Sequence, residues 1–225
     1  MKADVLLQKA GHPSLGERSE IHFMLFLISE LLSALLQICL FSVIPFLWWL
    51  VSARKENFFH WLGFSKPESN VSFLHTIMLT VLAAAAYGIL TTLFINGFSD
   101  GITQAGSQFA GKGFRAIPAV LLYAYMQTGL SEELLFRGFL LKRIASKLGF
   151  YVGNTIQALL FGAVHGIPFG IITGSLTVTV ILTVLPGAFG WFEGWLNEKR
   201  FGGSILPCWL LHGTINLIAA CSQLS

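Results

Sequence analysis

Two adjacent glutamates and an arginine interrupt an otherwise apolar run between Ile117 and Leu141. A charged side chain at mid-membrane costs roughly 2.5–3.5 kcal/mol on insertion scales, so such residues usually pair, line a cavity or take part in chemistry. Glu133 and Arg137 have the four-residue, acid-first spacing that favours a helical pair. Glu132 points about 100° away from Glu133, and an unpaired carboxylate of this kind can act as a general base. We therefore predict a hydrolytic site in which Glu132 is the base, although the three residues alone would equally suit a charge cluster that only fixes helix packing.

Two histidines in later apolar segments are candidates to complete the site. Phe161 and His165 are four residues apart and share one helix face, and so do His212 and Asn216. Each pair has a simpler interpretation when it is taken alone. A lone intramembrane histidine is often a satisfied core residue, and His212 with Asn216 could form an interhelical hydrogen-bond pair worth about 0.6 kcal/mol.

The depth of these residues in the membrane favours a shared site. With a rise of 1.5 Å per residue from the basic side of each segment, the depths are about 15 Å for Glu132, 22 Å for His165, 18 Å for His212 and 24 Å for Asn216. Side chains from three separate spans are thus expected at similar depth. We predict that Glu132, His165, His212 and Asn216 form one polar site.

The composition is that of an integral membrane protein. Of 225 residues, 54% are apolar and 11% are charged, and the mean hydropathy is +0.71. Soluble domains carry about 25% charged residues. The net charge of +3 and the lack of a basic tract argue against a nucleic-acid partner. Cys39, Cys208 and Cys221 lie in apolar segments without zinc-type spacing, which favours buried free thiols over disulfides.

The predicted fold class is all-α, a polytopic membrane bundle of about six to eight transmembrane helices. Three regions are expected: a polar N-terminal segment (1–20), N-terminal transmembrane helices with a loop (21–116), and a catalytic transmembrane core (117–222). Proline is expected to break the fourth span at Pro168 and to interrupt the fifth at Pro186. The apolar segments are approximately Phe23–Val51, Val71–Phe94, Ile117–Leu141, Tyr151–Gly166, Phe169–Leu196 and Ser204–Cys221.

Six spans place three basic loops on the same side of the membrane. The positive-inside rule assigns that side to the cytoplasm. We therefore expect a multi-pass cell-membrane protein whose site is accessible from the cytoplasmic side. The loops contain Arg54, Lys55 and Lys66; Lys142, Arg143 and Lys147; and Lys199 and Arg200.

Three motifs in this order resemble those of the CPBP family, the CAAX proteases and bacteriocin-processing enzymes that are also called the Abi family. The family includes the type II CAAX prenyl endopeptidases. The resemblance covers roughly Ile117 to Ala220. The motifs are Glu-Glu-x-x-x-Arg (Glu132, Glu133, Arg137), Phe-x-x-x-His (Phe161, His165) and His-x-x-x-Asn (His212, Asn216).

The resemblance implies an intramembrane glutamate-type protease. Glu132 and His165 would activate a water for attack on a peptide carbonyl, and His212 with Asn216 would stabilise the oxyanion. The supporting residues would be Glu133, Arg137 and Phe161. The implied partners are the lipid bilayer and a membrane-associated peptide or protein substrate, with or without a prenyl group.

Three alternatives compete with this interpretation. A Glu/His cluster could hold zinc, but there is no His-Glu-x-x-His motif and Asn216 is a poor zinc ligand, so we expect no cofactor. A non-catalytic bacteriocin self-immunity or scaffold protein could use the same fold. A proton-coupled transporter could use intramembrane Glu and His, but the sequence has no internal repeat of the kind many transporters show.

Overall fold

The computed structural model describes residues 14–68, 78, 81–90, 93 and 106–224. These residues form helices and connecting turns, with no strand in the described ranges, so the predicted all-α bundle is confirmed. Short 3₁₀ turns at Ser107–Phe109 and Phe114–Ala116 precede the fourth helix. The helices are α1 (Leu15–Ser52), α2 (Phe58–Trp61), α3 (Val81–Leu90), α4 (residues 117–148), α5 (Phe150–Thr173), α6 (Leu176–Arg200) and α7 (Leu206–Cys221).

By length and composition, three of these described helices can cross a membrane: α1, α5 and α6. α3 and α7 are shorter apolar helices. The predicted second span, Val71–Phe94, lies outside the described residues except for α3 and two single positions. α1 shows mostly exposed apolar side chains, which suits a helix that faces lipid.

α1 begins eight residues before the predicted apolar segment because a capping box fixes its start. The Ser14 hydroxyl accepts a hydrogen bond from the Glu17 amide at 3.2 Å, and the Glu17 carboxylate accepts one from the Ser14 amide at 2.6 Å. The two bonds satisfy N–H groups that a helix start otherwise leaves unpaired. The boundary predicted at residue 20 therefore falls within a helix.

α4 is a continuous helical path in which two π-helical stretches flank the glutamate pair. Its α-helical parts are Ile117–Leu121, Ser131–Glu133 and Lys142–Leu148. Between them lie the π-helical stretches Leu122–Leu130 and Leu134–Leu141. π-helical turns are rare in proteins, and those that occur often lie at functional sites. The helix ends at Gly149, whose φ of 83° suits glycine, so α4 continues seven residues past the predicted end at Leu141.

The predicted proline breaks at Pro168 and Pro186 are wrong. Pro168 lies inside α5 and Pro186 inside α6. Membrane helices tolerate proline because neighbouring helices and side chains can satisfy the freed backbone groups. The chain turns instead at Gly174, in the left-handed conformation with φ 64°, and Ser175 then caps α6 by accepting a hydrogen bond from the Val178 amide.

α5 and α6 pack closely along a glycine stripe. A Cβ atom on Gly162 would lie 2.1 Å from the Thr183 carbonyl oxygen, and one on Gly166 would lie 2.5 Å from the Thr179 carbonyl oxygen. A Cβ on Gly170 would lie 1.7 Å from the Thr179 hydroxyl. Small residues at four-residue spacing thus let the two backbones approach. The stripe continues past Pro168, because α5 does not break there.

The predicted basic loops meet at one end of the bundle. The Lys142 ammonium donates to Glu198 at 2.9 Å and to the Gly203 carbonyl at 2.7 Å. The Ile205 amide donates to the Gly63 carbonyl at 3.0 Å, which joins the loop after α2 to the loop before α7. These contacts place the loop directly after α2, the end of α4 that begins at Lys142 and the α6–α7 connection beside one another.

Candidate active site

Glu132 lies between the two predicted histidines. Its Oε2 atom is 3.8 Å from His165 Nε2 and 3.6 Å from His212 Nε2. The three side chains come from α4, α5 and α7. Their exposed fractions are 12% for Glu132, 6% for His212 and 35% for His165, so the site reaches the protein surface on the His165 side.

Hydrogen bonds to the other ring nitrogens fix both imidazoles. His165 Nδ1 is 2.7 Å from the Phe161 carbonyl oxygen, and His212 Nδ1 is 3.0 Å from Glu133 Oε1. A carbonyl or carboxylate oxygen accepts, so each Nδ1 carries the hydrogen. In the neutral imidazoles both Nε2 atoms then present lone pairs to Glu132. At 3.6 and 3.8 Å these are not direct hydrogen bonds, and such spacing suits a bridging water.

A fully buried ion-pair network lies behind this pair of histidines. Arg137 Nη1 is 3.0 Å from Glu133 Oε1, which is the pair predicted from their spacing. Arg137 Nη2 contacts Glu193 Oε2 of α6, and that same carboxylate oxygen lies 3.9 Å from His212 Nδ1. All three side chains of the ion-pair network are 0% exposed. Removal of Arg137 would leave both buried carboxylates without their cation.

Phe161 packs against both the ion-pair network and the histidines. Its ring lies 4.4 Å from the Arg137 guanidinium and 4.6 Å from the His165 ring, centre to centre. The His212 ring is 5.9 Å away, edge to face. A Cβ on Gly190 of α6 would lie 2.9 Å from this phenyl ring, so glycine allows the close approach of α6. Phe161 thereby holds α5 against the charged residues of α4.

Asn216 makes its described hydrogen bond with Thr128, four residues before Glu132 in α4. Its side-chain amide donates to the Thr128 hydroxyl at 2.8 Å, and Thr128 in turn donates to the Tyr123 and Ala124 carbonyls. The contact joins α7 to the first π-helical stretch of α4. Asn216 and His212 thus both face α4, one turn apart, with different partners.

The sequence model of the family described as type II CAAX prenyl endopeptidase Rce1-like matches residues 114–218. This segment belongs to the Rce1-like family. It begins just before α4 and ends within α7, so it contains every predicted site residue. No curated protein and no solved structure matches the chain.

Glu193 is a residue of the Rce1-like segment that sequence analysis missed. It is an acidic residue within the apolar segment Phe169–Leu196, and the same cost argument that singled out Glu132 would have identified it.

The position of α6 is held by two buried amides of α5. Asn154 donates to the Trp191 carbonyl at 2.9 Å, and Gln157 donates to the Gly190 carbonyl at 2.9 Å.

One group of acidic and histidine side chains in the Rce1-like segment has the spacing of a metal site. Glu133, Glu193 and His212 each offer one ligand atom, and these atoms lie within 4.8 Å of one another. The Arg137 guanidinium contacts both carboxylates and supplies the positive charge there. A cation would compete with Arg137 for the same oxygens, so these residues fit a metal poorly.

Within the described residues the prediction of free thiols is confirmed, but the predicted burial holds only for Cys208. Cys39, Cys208 and Cys221 are all unpaired, and they are exposed, buried and half-buried respectively.

Proposed function

We propose that this Rce1-like protein is an intramembrane glutamate-type endopeptidase. Its substrate would be a membrane-associated peptide or protein, with or without a prenyl group. The observation that supports the proposal best is the position of Glu132, whose Oε2 faces the Nε2 atoms of His165 and His212 at 3.8 and 3.6 Å. Family membership supports protease activity of the CAAX type.

The first step of the proposed reaction activates a water held among these three atoms. Glu132 takes one proton of the water as general base, and the Nε2 lone pair of His165 accepts a hydrogen bond from it. The oxygen then attacks the scissile carbonyl carbon to form a tetrahedral intermediate. His165 is the most exposed of the three residues, so the substrate would approach from its side.

The second step stabilises the charge on the carbonyl oxygen and expels the amine. His212 would donate from Nε2 in its doubly protonated form, and Nδ1 of that form would still donate to Glu133. The Asn216 amide has a second hydrogen beyond the one given to Thr128, and it would donate that hydrogen to the oxyanion. Glu132 would return its proton to the leaving amine.

The proposed supporting residues hold the histidines rather than touch the substrate. Glu133 accepts the Nδ1 hydrogen of His212, and Arg137 fixes Glu133. Phe161 contributes its carbonyl to His165 and its ring to Arg137. We further propose that the basic end of the bundle faces the cytoplasm and that the protein is a multi-pass cell-membrane protein without a cofactor.

The proposal is tested with purified protein in lipid vesicles and a pair of peptides that differ only in a prenyl group. Wild-type protein is expected to release a fragment that mass spectrometry identifies, and Glu132→Gln is expected to release none above background. Comparison of the two peptides decides whether prenylation is needed. The non-catalytic scaffold alternative replaces the proposal if neither peptide is cleaved and cells that express Glu132→Ala or His165→Ala behave like cells that express the wild type. Both variants must be shown to fold in the membrane.

A further inference from the structure

Glu193 has no role in the proposed reaction steps, although it lies beside the site. It is the third carboxylate around His212, after Glu132 and Glu133, and it comes from a different helix, α6. Its side chain is 0% exposed, and its Oε2 atom contacts Arg137 while lying 3.9 Å from His212 Nδ1. A buried carboxylate on a separate helix is costly unless it is paired, and here its partner is an arginine that also serves Glu133.

Arg137 contacts two carboxylates with its two terminal nitrogens, and Glu133 is thereby able to accept the hydrogen bond from His212. Nη1 of the guanidinium faces Glu133, and Nη2 faces Glu193. Guanidinium and carboxylate groups otherwise favour a bidentate pair, in which two N–H groups contact both oxygens of one carboxylate. A bidentate pair between Arg137 and Glu133 would draw Glu133 Oε1 away from His212 Nδ1, 3.0 Å distant. Glu193 contacts the other side of the arginine, at Nη2.

Several contacts hold Glu193 where it can act in this way. The Gln157 and Asn154 amides bind the backbone carbonyls of α6 one turn before it. The Cys208 thiol of α7 donates to the Glu193 carbonyl at 3.3 Å, which ties Glu193 to the helix that carries His212. The Phe161 ring packs against the face of the Arg137 guanidinium and limits how far this group can tilt.

We propose that Glu193 is a positioning residue for the reaction: it takes one side of Arg137 so that Glu133 stays bonded to His212 and directs the His212 Nε2 atom towards Glu132. This inference rests on the proposed function. It extends the site from three helices to four, because α6 contributes the carboxylate that keeps the α4 pair in its working arrangement. Glu193 does not touch the reacting atoms and acts through Arg137 and Glu133.

The test compares Glu193→Gln with Glu198→Gln, a matched control on the same helix. Glu198 pairs with Lys142 at the end of the bundle, where both side chains are partly exposed. Glu193→Gln is expected to lower kcat by up to about 100-fold, the scale of a misplacement of about 1 Å, with KM changed less than about twofold. Glu198→Gln is expected to keep the wild-type kcat. A kcat for Glu193→Gln equal to that of wild type would overturn the inference.

A second readout does not depend on activity. Nitrogen NMR of histidine-labelled protein in lipid reports which ring nitrogen carries hydrogen, and loss of the signal in His212→Asn assigns it. At a pH where His212 is neutral, the wild-type protein is expected to carry the ring hydrogen on Nδ1, and Glu193→Gln is expected to show a mixture of the two neutral tautomers. An unchanged His212 signal in Glu193→Gln contradicts the inference. Wild-type protein that cleaves no peptide contradicts the proposed function instead, and the NMR comparison still decides the role of Glu193.

A variant that retains the charge covers the case in which Glu193→Gln does not fold. Glu193→Asp keeps the carboxylate but shortens its reach by one methylene, so Arg137 can turn towards Glu133. The inference expects a lower kcat with an unchanged KM for this variant too. A folded Glu193→Asp protein with wild-type kcat would show that charge compensation alone is the role of this residue, and would overturn the inference.

Discussion

Replacement of Arg137 by methionine removes a buried guanidinium that contacts two carboxylates. Arg137, Glu133 and Glu193 are all 0% exposed, so water cannot solvate the carboxylates that lose their partner. Breaking a buried pair by removal of one partner costs about 3–5 kcal/mol. Two carboxylates are uncovered here, so we expect a loss of at least about 3 kcal/mol in the free energy of unfolding. A loss of this size changes the unfolding equilibrium by roughly 100-fold or more.

The assay is reversible unfolding in mixed micelles, followed by tryptophan fluorescence. The control is Lys142→Met, which breaks the partly exposed pair with Glu198 and is expected to cost no more than about 1 kcal/mol. Addition of Glu133→Gln and Glu193→Gln to Arg137→Met removes the uncovered charges and should recover much of the lost stability. A loss below about 1 kcal/mol in Arg137→Met, or no recovery in the triple variant, would refute the electrostatic account.

Three further predictions concern helix packing, the oxyanion and metal dependence. Gly166→Ala places a methyl group against α6 and should lower the free energy of unfolding by about 1–3 kcal/mol. A Cβ at Gly88 has no atom within 4 Å, so Gly88→Ala should not destabilise the protein, and equal losses in the two variants would contradict the packing account. Asn216→Ala should lower kcat by about 10²–10³-fold if this amide stabilises the oxyanion, and Thr128→Val should lower it less; an unaffected Asn216→Ala would remove that role. Peptide cleavage should persist after prolonged treatment with a chelator, measured by mass spectrometry, and loss of activity that zinc restores would establish a metal enzyme instead.

The polar residues were the part of the structure that the sequence predicted best. A charged group in an apolar span is costly, so its presence marks a place where partners must meet. That argument, with depth counting, predicted that Glu132, His165, His212 and Asn216 lie at one level. The structure places the Nε2 atoms of both histidines within 3.8 Å of Glu132 Oε2, whereas the described hydrogen bond of Asn216 is to Thr128. The spacing of Glu133 and Arg137 likewise predicted their contact. Their catalytic roles stay predictions until activity is measured.

The helix boundaries were predicted less well because local rules for soluble helices do not carry over to a membrane bundle. Pro168 and Pro186 do not end their helices, since neighbouring groups in a bundle can satisfy the backbone that proline frees. The chain turns at Gly174, which has a left-handed backbone conformation. The sequence has 23 glycines and does not show which of them adopts it. The two π-helical stretches of α4 were not predicted, because the apolar pattern of the segment does not distinguish them from α-helix. Glu193 was missed although the cost argument that singled out Glu132 also applies to it.

The most direct test of the account is the rate of peptide cleavage by Glu132→Gln in lipid vesicles, beside wild type and Glu198→Gln. General acid–base catalysis contributes about 10²–10⁴-fold, so Glu132→Gln is expected to lower kcat by at least about 100-fold. Glu198→Gln should cleave at the wild-type rate, which shows that loss of a carboxylate from a bundle helix is not itself the cause. Cleavage by Glu132→Gln at the wild-type rate would contradict the claim that Glu132 activates the water.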